Sequence, residues 1–103
     1  MWHIKRHNPK DPAVYILSNQ RRNVLYIGVT SDLITRLQSH RKGKGSTFCQ
    51  RYNLRILLYF ERYNRIVDAI AREKQLKRWK RKWKFDLIKE LNPELNDLFF
   101  QII

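Results

Sequence analysis

Two short apolar runs near the beginning of the chain, separated by a polar stretch, limit the folds that the sequence can adopt. Residues 14–17 and 24–29 are mostly β-branched and aromatic, whereas residues 18–23 are largely polar. Apolar runs joined by a short polar connection are typical of a β-hairpin. The sequence therefore predicts two antiparallel strands close to its start.

The register of this hairpin decides where its two tyrosines point. A loop of residues 19–22 pairs Ser18 with Asn23, and hence Tyr15 with Tyr26, so that both phenols share one face of the sheet. A loop longer by one residue would place the two phenols on opposite faces. We expect the shared face.

The rest of the chain reads as helices and one further strand. In chain order the sequence predicts a helix at 32–41, a basic loop to residue 50, a strand at 54–63 buried on both faces, a helix from the cap Asn64 to about Trp79, a helix at 81–91 and a short apolar closing segment. The stretch 30–32, Thr-Ser-Asp, offers an N-cap and a first-turn acid for the first helix. The apolar faces of the last two helices are predicted to be Val67, Ile70, Leu76 and Trp79, and Trp83, Leu87, Ile88 and Leu91. These elements predict an α+β fold, a three-stranded and mostly antiparallel sheet flanked by helices. A length of 103 residues suits one domain, which we assign to residues 13–103 after a basic tail at 1–12.

The charge of the chain indicates its partner. Lys and Arg total 22 against 9 Asp and Glu, a net charge of +13, which favours a polyanion, nucleic acid first and an anionic membrane surface second. Aromatic and basic residues alternate, and no lipid-binding pattern occurs, so we expect nucleic acid and no membrane. The single Cys49 excludes an internal disulfide, and we expect no disulfide-linked partner. With no signal peptide in the sequence, we expect a cytoplasmic location.

Five residues stand out as candidates for chemistry. Tyr15 and Tyr26 lie in the hairpin, Arg36 and His40 are four apart on the first helix, and Glu73 interrupts an apolar helix face. A carboxylate can hold a divalent cation, and a guanidinium suits two-pronged contact with a phosphate. Each residue also has a plain structural interpretation, such as a Glu paired with an Arg, a solvated Arg, a surface His at a helix end or a tyrosine within a sheet.

The order and spacing of these residues resemble the GIY-YIG endonuclease superfamily. Residues 13–15, Ala-Val-Tyr, stand where its first tripeptide would be, and residues 26–28, Tyr-Ile-Gly, match its second. Residues 69–77, which contain Glu73, look like its glutamate helix, and residues 92–98 resemble the tail of its small stand-alone bacterial members. The chain is also similar to the N-terminal domain of the nuclease component of excinuclease ABC. One departure is Ala13, where the family has glycine, and it removes no catalytic group.

The resemblance implies an activity and a role for each residue. It implies a metal-dependent endonuclease that hydrolyses DNA phosphodiesters in DNA repair or recombination, with Mg²⁺ or Mn²⁺ held by Glu73. Arg36 would clamp the phosphate, and His40 would orient water or contact the phosphate. A tyrosine would take the proton from the attacking water. We favour Tyr26, with Tyr15 positioning water or phosphate, although these roles can be exchanged.

Further cations are predicted to follow the nucleic-acid backbone. They share exposed basic segments after the first helix and around the last two helices, and they are Lys42, Lys44, Arg51, Lys74, Lys77, Arg78, Lys80, Arg81 and Lys84. The alternative function is a nucleic-acid-binding module that keeps the fold with weak or no catalysis. A purely structural RNA-associated protein would rest on charge alone. The sequence leaves the structure of the substrate open.

Overall fold

The computed structural model describes residues 11–102, so that most of the predicted tail lies outside the described residues. The elements in chain order are β1 (Ala13–Ser18), β2 (Leu25–Thr30), α1 (Leu33–Arg41), α2 (Thr47–Tyr52), β3 (Ile56–Arg62), α3 (Ile66–Lys77), α4 (Arg81–Leu91) and α5 (Phe99–Ile102). The three strands form one antiparallel sheet in the order β2-β1-β3, which confirms the predicted fold class. Within the described part of the chain, no helix is long and apolar enough to cross a membrane.

The hairpin register differs from the predicted one, but its two tyrosines still share a face. Ser18 pairs with Leu25, so the predicted pairing with Asn23 is wrong and the loop spans residues 19–24. The cause is Asn19, whose side-chain Oδ1 accepts hydrogen bonds from the amides of Asn23 at 3.0 Å and Val24 at 3.2 Å and holds them in the loop. A displacement by two residues leaves every side chain on its original face, since side chains alternate with a period of two.

Each face of the sheet carries its own apolar cluster. Tyr15 and Leu17 of β1 pack on one side against Leu33, Leu37 and Cys49 of α1 and α2, a cluster that α5 completes. The opposite side is covered by α3 and α4, whose buried contacts with the sheet are Ala69, Leu76 and Ile88. Because β1 is the central strand, both of its faces are buried.

Capping explains where two helices begin. Asp32 accepts a hydrogen bond from the amide of Thr35 at 3.2 Å and is the N-cap of α1, so the cap lies within the predicted stretch 30–32 but the helix has no first-turn acid. The predicted cap Asn64 is wrong, because α3 begins one residue later with Arg65 at its N-cap and has no side-chain cap. The helix α2 was not predicted; Ser46 caps it by accepting a hydrogen bond from the amide of Cys49 at 3.2 Å.

The predicted apolar faces of α3 and α4 are only partly buried. Val67 is 51% exposed, Trp83 is 49% exposed and Leu91 is 45% exposed, so their predicted packing is wrong. Ile70 is also exposed. The small residue Ala69 lets α3 approach the sheet with the face that also carries Leu76, which turns the bulkier apolar residues outward.

The C-terminal segment ties α1 to β3. Asp97 forms an ion pair with Arg41 of α1, and its other oxygen accepts the amide of Leu57 at 3.1 Å. The guanidinium of Arg41 lies 4.0 Å from the ring centroid of Phe99 and 4.9 Å from that of Phe100. The end of α1 is therefore held by charge and by stacking together.

Candidate active site

The candidate site lies at the edge of the sheet. β2 is an edge strand, and a cavity of about 310 Å³ opens beside it. Side chains from both sides of the sheet reach this cavity, which is lined by Leu25, Tyr26, Ile27, Phe48, Lys77 and Lys84. At this edge Phe48 of α2 meets Lys77 of α3 and Lys84 of α4.

Three predicted residues meet as a cluster of rings. The ring centroids of Tyr15 and Tyr26 are 6.4 Å apart, and His40 lies 5.9 Å from the first and 6.2 Å from the second. The hydroxyl of Tyr15 is 3.3 Å from Nε2 of His40, within hydrogen-bond range. Tyr15 is buried, whereas Tyr26 is half-buried and faces the cavity. The phenols therefore share one site but differ in their access to a substrate.

Two glycines make room for this cluster. Gly28 is the cross-strand partner of Tyr15, and a Cβ atom there would lie 2.5 Å from the phenol oxygen and 2.9 Å from Cε1 of that ring. At Gly45, in the loop after α1, a Cβ atom would lie 2.6 Å from Cε1 of His40. Neither position can carry a side chain while the rings stay in place. The last residue of the Tyr-Ile-Gly tripeptide thus has a steric reason to be glycine.

Burial sets the protonation of the two hydrogen-bonded rings. It raises the pKa of Tyr15, a rise that the neighbouring Tyr26 increases and the charge of Arg36 opposes. Burial also lowers the pKa of His40 below its ordinary value, and Arg36 adds to the decrease. At neutral pH the imidazole is therefore uncharged and the phenol of Tyr15 keeps its proton. Nδ1 of His40 has no hydrogen-bond partner among residues 11–102.

The two charged candidates flank the rings. Arg36 is exposed on α1, and its charge acts on both Tyr15 and His40. Glu73 on α3 has a side chain that is 15% exposed and forms an ion pair with Lys77 at 3.0 Å. Its charge also acts on Tyr15. The other four predicted residues therefore each contact Tyr15 or act on it by their charge, and one of the predicted phosphate contacts, Lys77, is bound to the carboxylate of Glu73.

The described donors suit a cation that needs few protein ligands. No group of three or more His, Cys, Asp and Glu side chains is assembled anywhere in residues 11–102. Among residues 11–102, Glu73 is the carboxylate whose charge acts on Tyr15. Magnesium commonly binds one or two carboxylates and completes its shell with water and substrate phosphate, which fits this donor set. A structural zinc site, which needs four protein ligands, does not fit it.

The other predicted phosphate contacts are spread over several surfaces. Lys84 lies near the rings and lines the cavity. Arg81 donates to the carbonyl of Asn23 in the hairpin loop and lies over Phe85, and Lys80 lies over Trp83, away from the cavity. The remaining members are exposed, Lys42, Lys44, Arg51, Lys74 and Arg78. The structure therefore brings only part of the predicted basic face to the site.

Two further groups at the site were missed in the sequence. Phe48 stacks on Tyr26, with centroids 6.1 Å apart and planes at 27°, and Tyr52 lies 4.8 Å beyond it. The available signal was the spacing of four between Phe48 and Tyr52, following the cap Ser46. A helix of six residues is too short, however, for its periodicity to be recognised in the sequence.

A second missed group holds α3 in place. Glu61 of β3 accepts hydrogen bonds from Arg72 at 2.9 and 3.0 Å, and from the hydroxyls of Tyr59 and Tyr63 at 2.5 and 2.6 Å. Although burial opposes it, these hydrogen bonds keep the pKa of Glu61 below its ordinary value. Because Arg72 precedes Glu73, this network helps to determine where the candidate metal ligand lies.

The fold and the site define a class of protein. Residues 11–86 match the family of the GIY-YIG catalytic domain. The chain therefore belongs to the GIY-YIG family, whose membership implies nuclease chemistry and binding of nucleic acid. Nucleases of this family generally depend on a divalent metal.

Within this family the chain is similar to small UPF0213 proteins. One from Pediococcus pentosaceus is 34% identical over 76 residues, covering 74% of this chain and 80% of the relative. One from Staphylococcus haemolyticus is 31% identical over 77 residues, covering 75% of this chain and 93% of the relative. The solution NMR structure of a UPF0213 protein from Bacillus halodurans matches with a TM-score of 0.54 and 25% identity, over 84% of this chain and 92% of that one. The predicted resemblance to small stand-alone members is confirmed.

Proposed function

We propose that this protein is a divalent-metal-dependent endonuclease that hydrolyses DNA phosphodiester bonds in DNA repair or recombination. The observation that carries the proposal is the meeting of Tyr15, Tyr26 and His40 beside an open cavity, with the charges of Arg36 and Glu73 both acting on Tyr15. The net charge of +13 supports a polyanionic substrate. The expected cytoplasmic location remains part of the proposal.

The two tyrosines take different roles in this mechanism. Tyr26 faces the cavity and acts as the general base that takes the proton from the attacking water. Tyr15 is buried, and because burial raises its pKa, it keeps its proton and can donate a hydrogen bond to Nε2 of His40. His40 then orients Tyr15 and the water beside it. The difference in burial supports this division of roles.

Arg36 and Glu73 act on the phosphate. The exposed guanidinium of Arg36 binds two phosphoryl oxygens and neutralises the charge that develops on them. Glu73 would hold the cation, Mg²⁺ or Mn²⁺, which would supply Lewis-acid stabilisation of the phosphate and the leaving oxygen. Lys77 must leave Glu73 for this purpose, and its side chain is 52% exposed and free to turn toward a DNA phosphate. Lys84 and the exposed cations after α1 and on α3 add phosphate contacts.

Glu73→Gln tests the proposal directly. The pure protein is incubated with labelled duplex, flap, junction and single-stranded DNA and with RNA, in Mg²⁺ or Mn²⁺ and in chelator. We expect cleavage that requires metal and that falls by orders of magnitude in Glu73→Gln. Glu90→Gln, the same charge change at an exposed position of α4, should cleave normally.

Two outcomes would contradict the endonuclease. Native cleavage by Glu73→Gln would show that this carboxylate is not the ligand. Binding without cleavage on every substrate, in the wild type as in the variant, would leave the nucleic-acid-binding module as the function. The ion pair that Lys77 makes with Glu73 is the observation that favours this second candidate.

Arg36→Ala separates binding from chemistry. We expect a modest loss of affinity and a severe loss of turnover at saturation, since a phosphate contact strengthens as charge develops. Arg65→Ala removes another exposed cation, at the start of α3, and should preserve turnover. Normal cleavage by Arg36→Ala at saturating substrate would place the phosphate site elsewhere.

A further inference from the structure

The helix α2 exposes two aromatic rings that packing leaves uncovered. Phe48 is 44% exposed and Tyr52 is 43% exposed, although rings of this size dominate protein cores. Cys49, which is 3% exposed, anchors the helix in the cluster beneath Tyr15. Ser46 and Asn53 cap its two ends, the latter in the left-handed conformation with φ of 58°. The helix therefore holds both rings outward by a defined backbone geometry.

These rings continue the candidate site. Tyr26 and Phe48 stack with planes only 27° apart, and Tyr52 follows with its centroid 4.8 Å from that of Phe48. We call Tyr26, Phe48 and Tyr52 the aromatic row. It begins at the proposed general base and leads away from the cavity across α2.

Cations border the aromatic row on more than one side. The guanidinium of Arg51 lies 5.9 Å from the ring centroid of Tyr52. Lys77 and Lys84 line the same cavity as Phe48. A protein partner favours aromatic patches whose centres are depleted of Lys, whereas single-stranded nucleic acid binds aromatic rings set beside a positive groove. The charge around the row therefore matches nucleic acid.

We infer that the aromatic row stacks unpaired bases next to the scissile phosphate, so that the substrate is DNA that is single-stranded at the cleavage position. Bases in a duplex have both faces covered by their neighbours and offer no face to a protein ring without being unstacked. A row of rings beside the catalytic groups thus gives an advantage to unpaired strands alone. The inference rests on the proposed function because it names the substrate of the same site.

Binding without cleavage tests this inference. A labelled oligothymidylate strand, and the same strand annealed to its complement, are titrated with protein in chelator, and fluorescence anisotropy gives both dissociation constants. We expect the wild type to bind the single strand more tightly. Phe48→Ala and Tyr52→Ala should each weaken single-strand binding by about 5- to 150-fold, the loss expected for one base stack, and change duplex binding little.

Two further variants separate stacking from other causes. Phe48→Leu keeps an apolar side chain against Tyr26 but removes the ring, and it should weaken single-strand binding as Phe48→Ala does. Trp83→Ala removes an aromatic ring that is 49% exposed and has Lys80 over it, on another surface, and should have no effect. Equal losses for duplex and single strand, no loss for either α2 variant, or an equal loss for Trp83→Ala would overturn the inference.

The binding and cleavage results can fail separately. Single-strand preference that depends on Phe48, without metal-dependent cleavage, would refute the endonuclease and leave the aromatic row as a surface that binds unpaired bases. Metal-dependent cleavage of duplex DNA at the rate of the single strand, in wild type and Phe48→Ala alike, would refute the inference and leave the endonuclease standing.

Discussion

The contact between Gly28 and Tyr15 leads to a quantitative prediction about stability. Gly28→Ala should lower the free energy of unfolding of the wild type and raise that of a variant without the Tyr15 ring. In Gly28→Ala the new Cβ would lie 2.5 Å from the phenol oxygen, so the ring must retreat by about 1 Å to reach an ordinary contact of ~3.5 Å. Overpacking of this kind costs about 1–3 kcal/mol of the free energy of unfolding. The same movement disturbs the 3.3 Å contact between Tyr15 and His40. Turnover should fall by about 10²-fold, the effect of a 1 Å misplacement at a reacting centre.

The background Tyr15→Leu reverses the expected effect on stability. Leucine lacks Cε1 and the phenol oxygen, so the new Cβ has room. Gly28 does not have a positive φ, so alanine there is unstrained and should gain about 0.5–1 kcal/mol over glycine within a strand. The effect of Gly28→Ala in the two backgrounds should therefore differ by about 1.5–4 kcal/mol.

Urea denaturation of the four proteins at neutral pH gives this difference as a double-mutant cycle. The loss of stability caused by Tyr15→Leu itself cancels in the cycle. If Gly28→Ala changes the free energy of unfolding by the same amount in both backgrounds, the ring does not lie on Gly28 and the steric account of the tripeptide is wrong.

Three further predictions concern the surroundings of the site. Because the pKa of His40 is lowered in the folded protein, the unfolded chain binds more protons, and the free energy of unfolding should fall as the pH drops through about 6.5. Urea denaturation across this pH range measures the fall, and His40→Gln should flatten that part of the profile. Lys77→Met removes the ammonium that competes for Glu73 and should raise Mn²⁺ affinity by up to about 5-fold in calorimetry, since a surface ion pair contributes at most ~1 kcal/mol; unchanged affinity would mean that the pair does not compete. Asp97→Asn removes the charge that pairs with the guanidinium at the end of α1 and should lower the free energy of unfolding by about 1–3 kcal/mol, whereas a smaller change in thermal or urea unfolding would make that ion pair incidental.

Local patterns predicted the elements that their own residues determine. The bounds of α4 at 81–91 and an N-cap for α1 within residues 30–32 follow from nearby spacing and capping chemistry. The hairpin register does not, because the side chain of Asn19 bonds amides four and five residues further on. The outward position of Val67 depends on how α3 meets the sheet, a tertiary contact that periodicity alone cannot give.

The part of the candidate site that could be predicted is the part set by the alternation of side chains along a strand. Tyr15 and Tyr26 share a face in any register displaced by an even number of residues, so the wrong loop length did not separate them. The close approach of His40 to Gly45 could not be predicted, because it brings a helix against an irregular loop whose position no sequence pattern gives. The ion pair of Glu73 with Lys77 was visible as a spacing of four, but Lys77 was predicted only as a contact to DNA phosphate.

Because α1 is attached to the C-terminal segment, the candidate site can assemble only after the whole domain has been synthesised. Asp97 binds Arg41, and Phe99 and Ile102 belong to the same cluster as Tyr15. During translation the hairpin and α1 leave the ribosome long before these partners do, and a domain of this kind folds as one unit. A chain that stops before Asp97 carries the catalytic groups on a helix without its anchor. Premature termination should therefore yield an inert polypeptide rather than an unregulated nuclease.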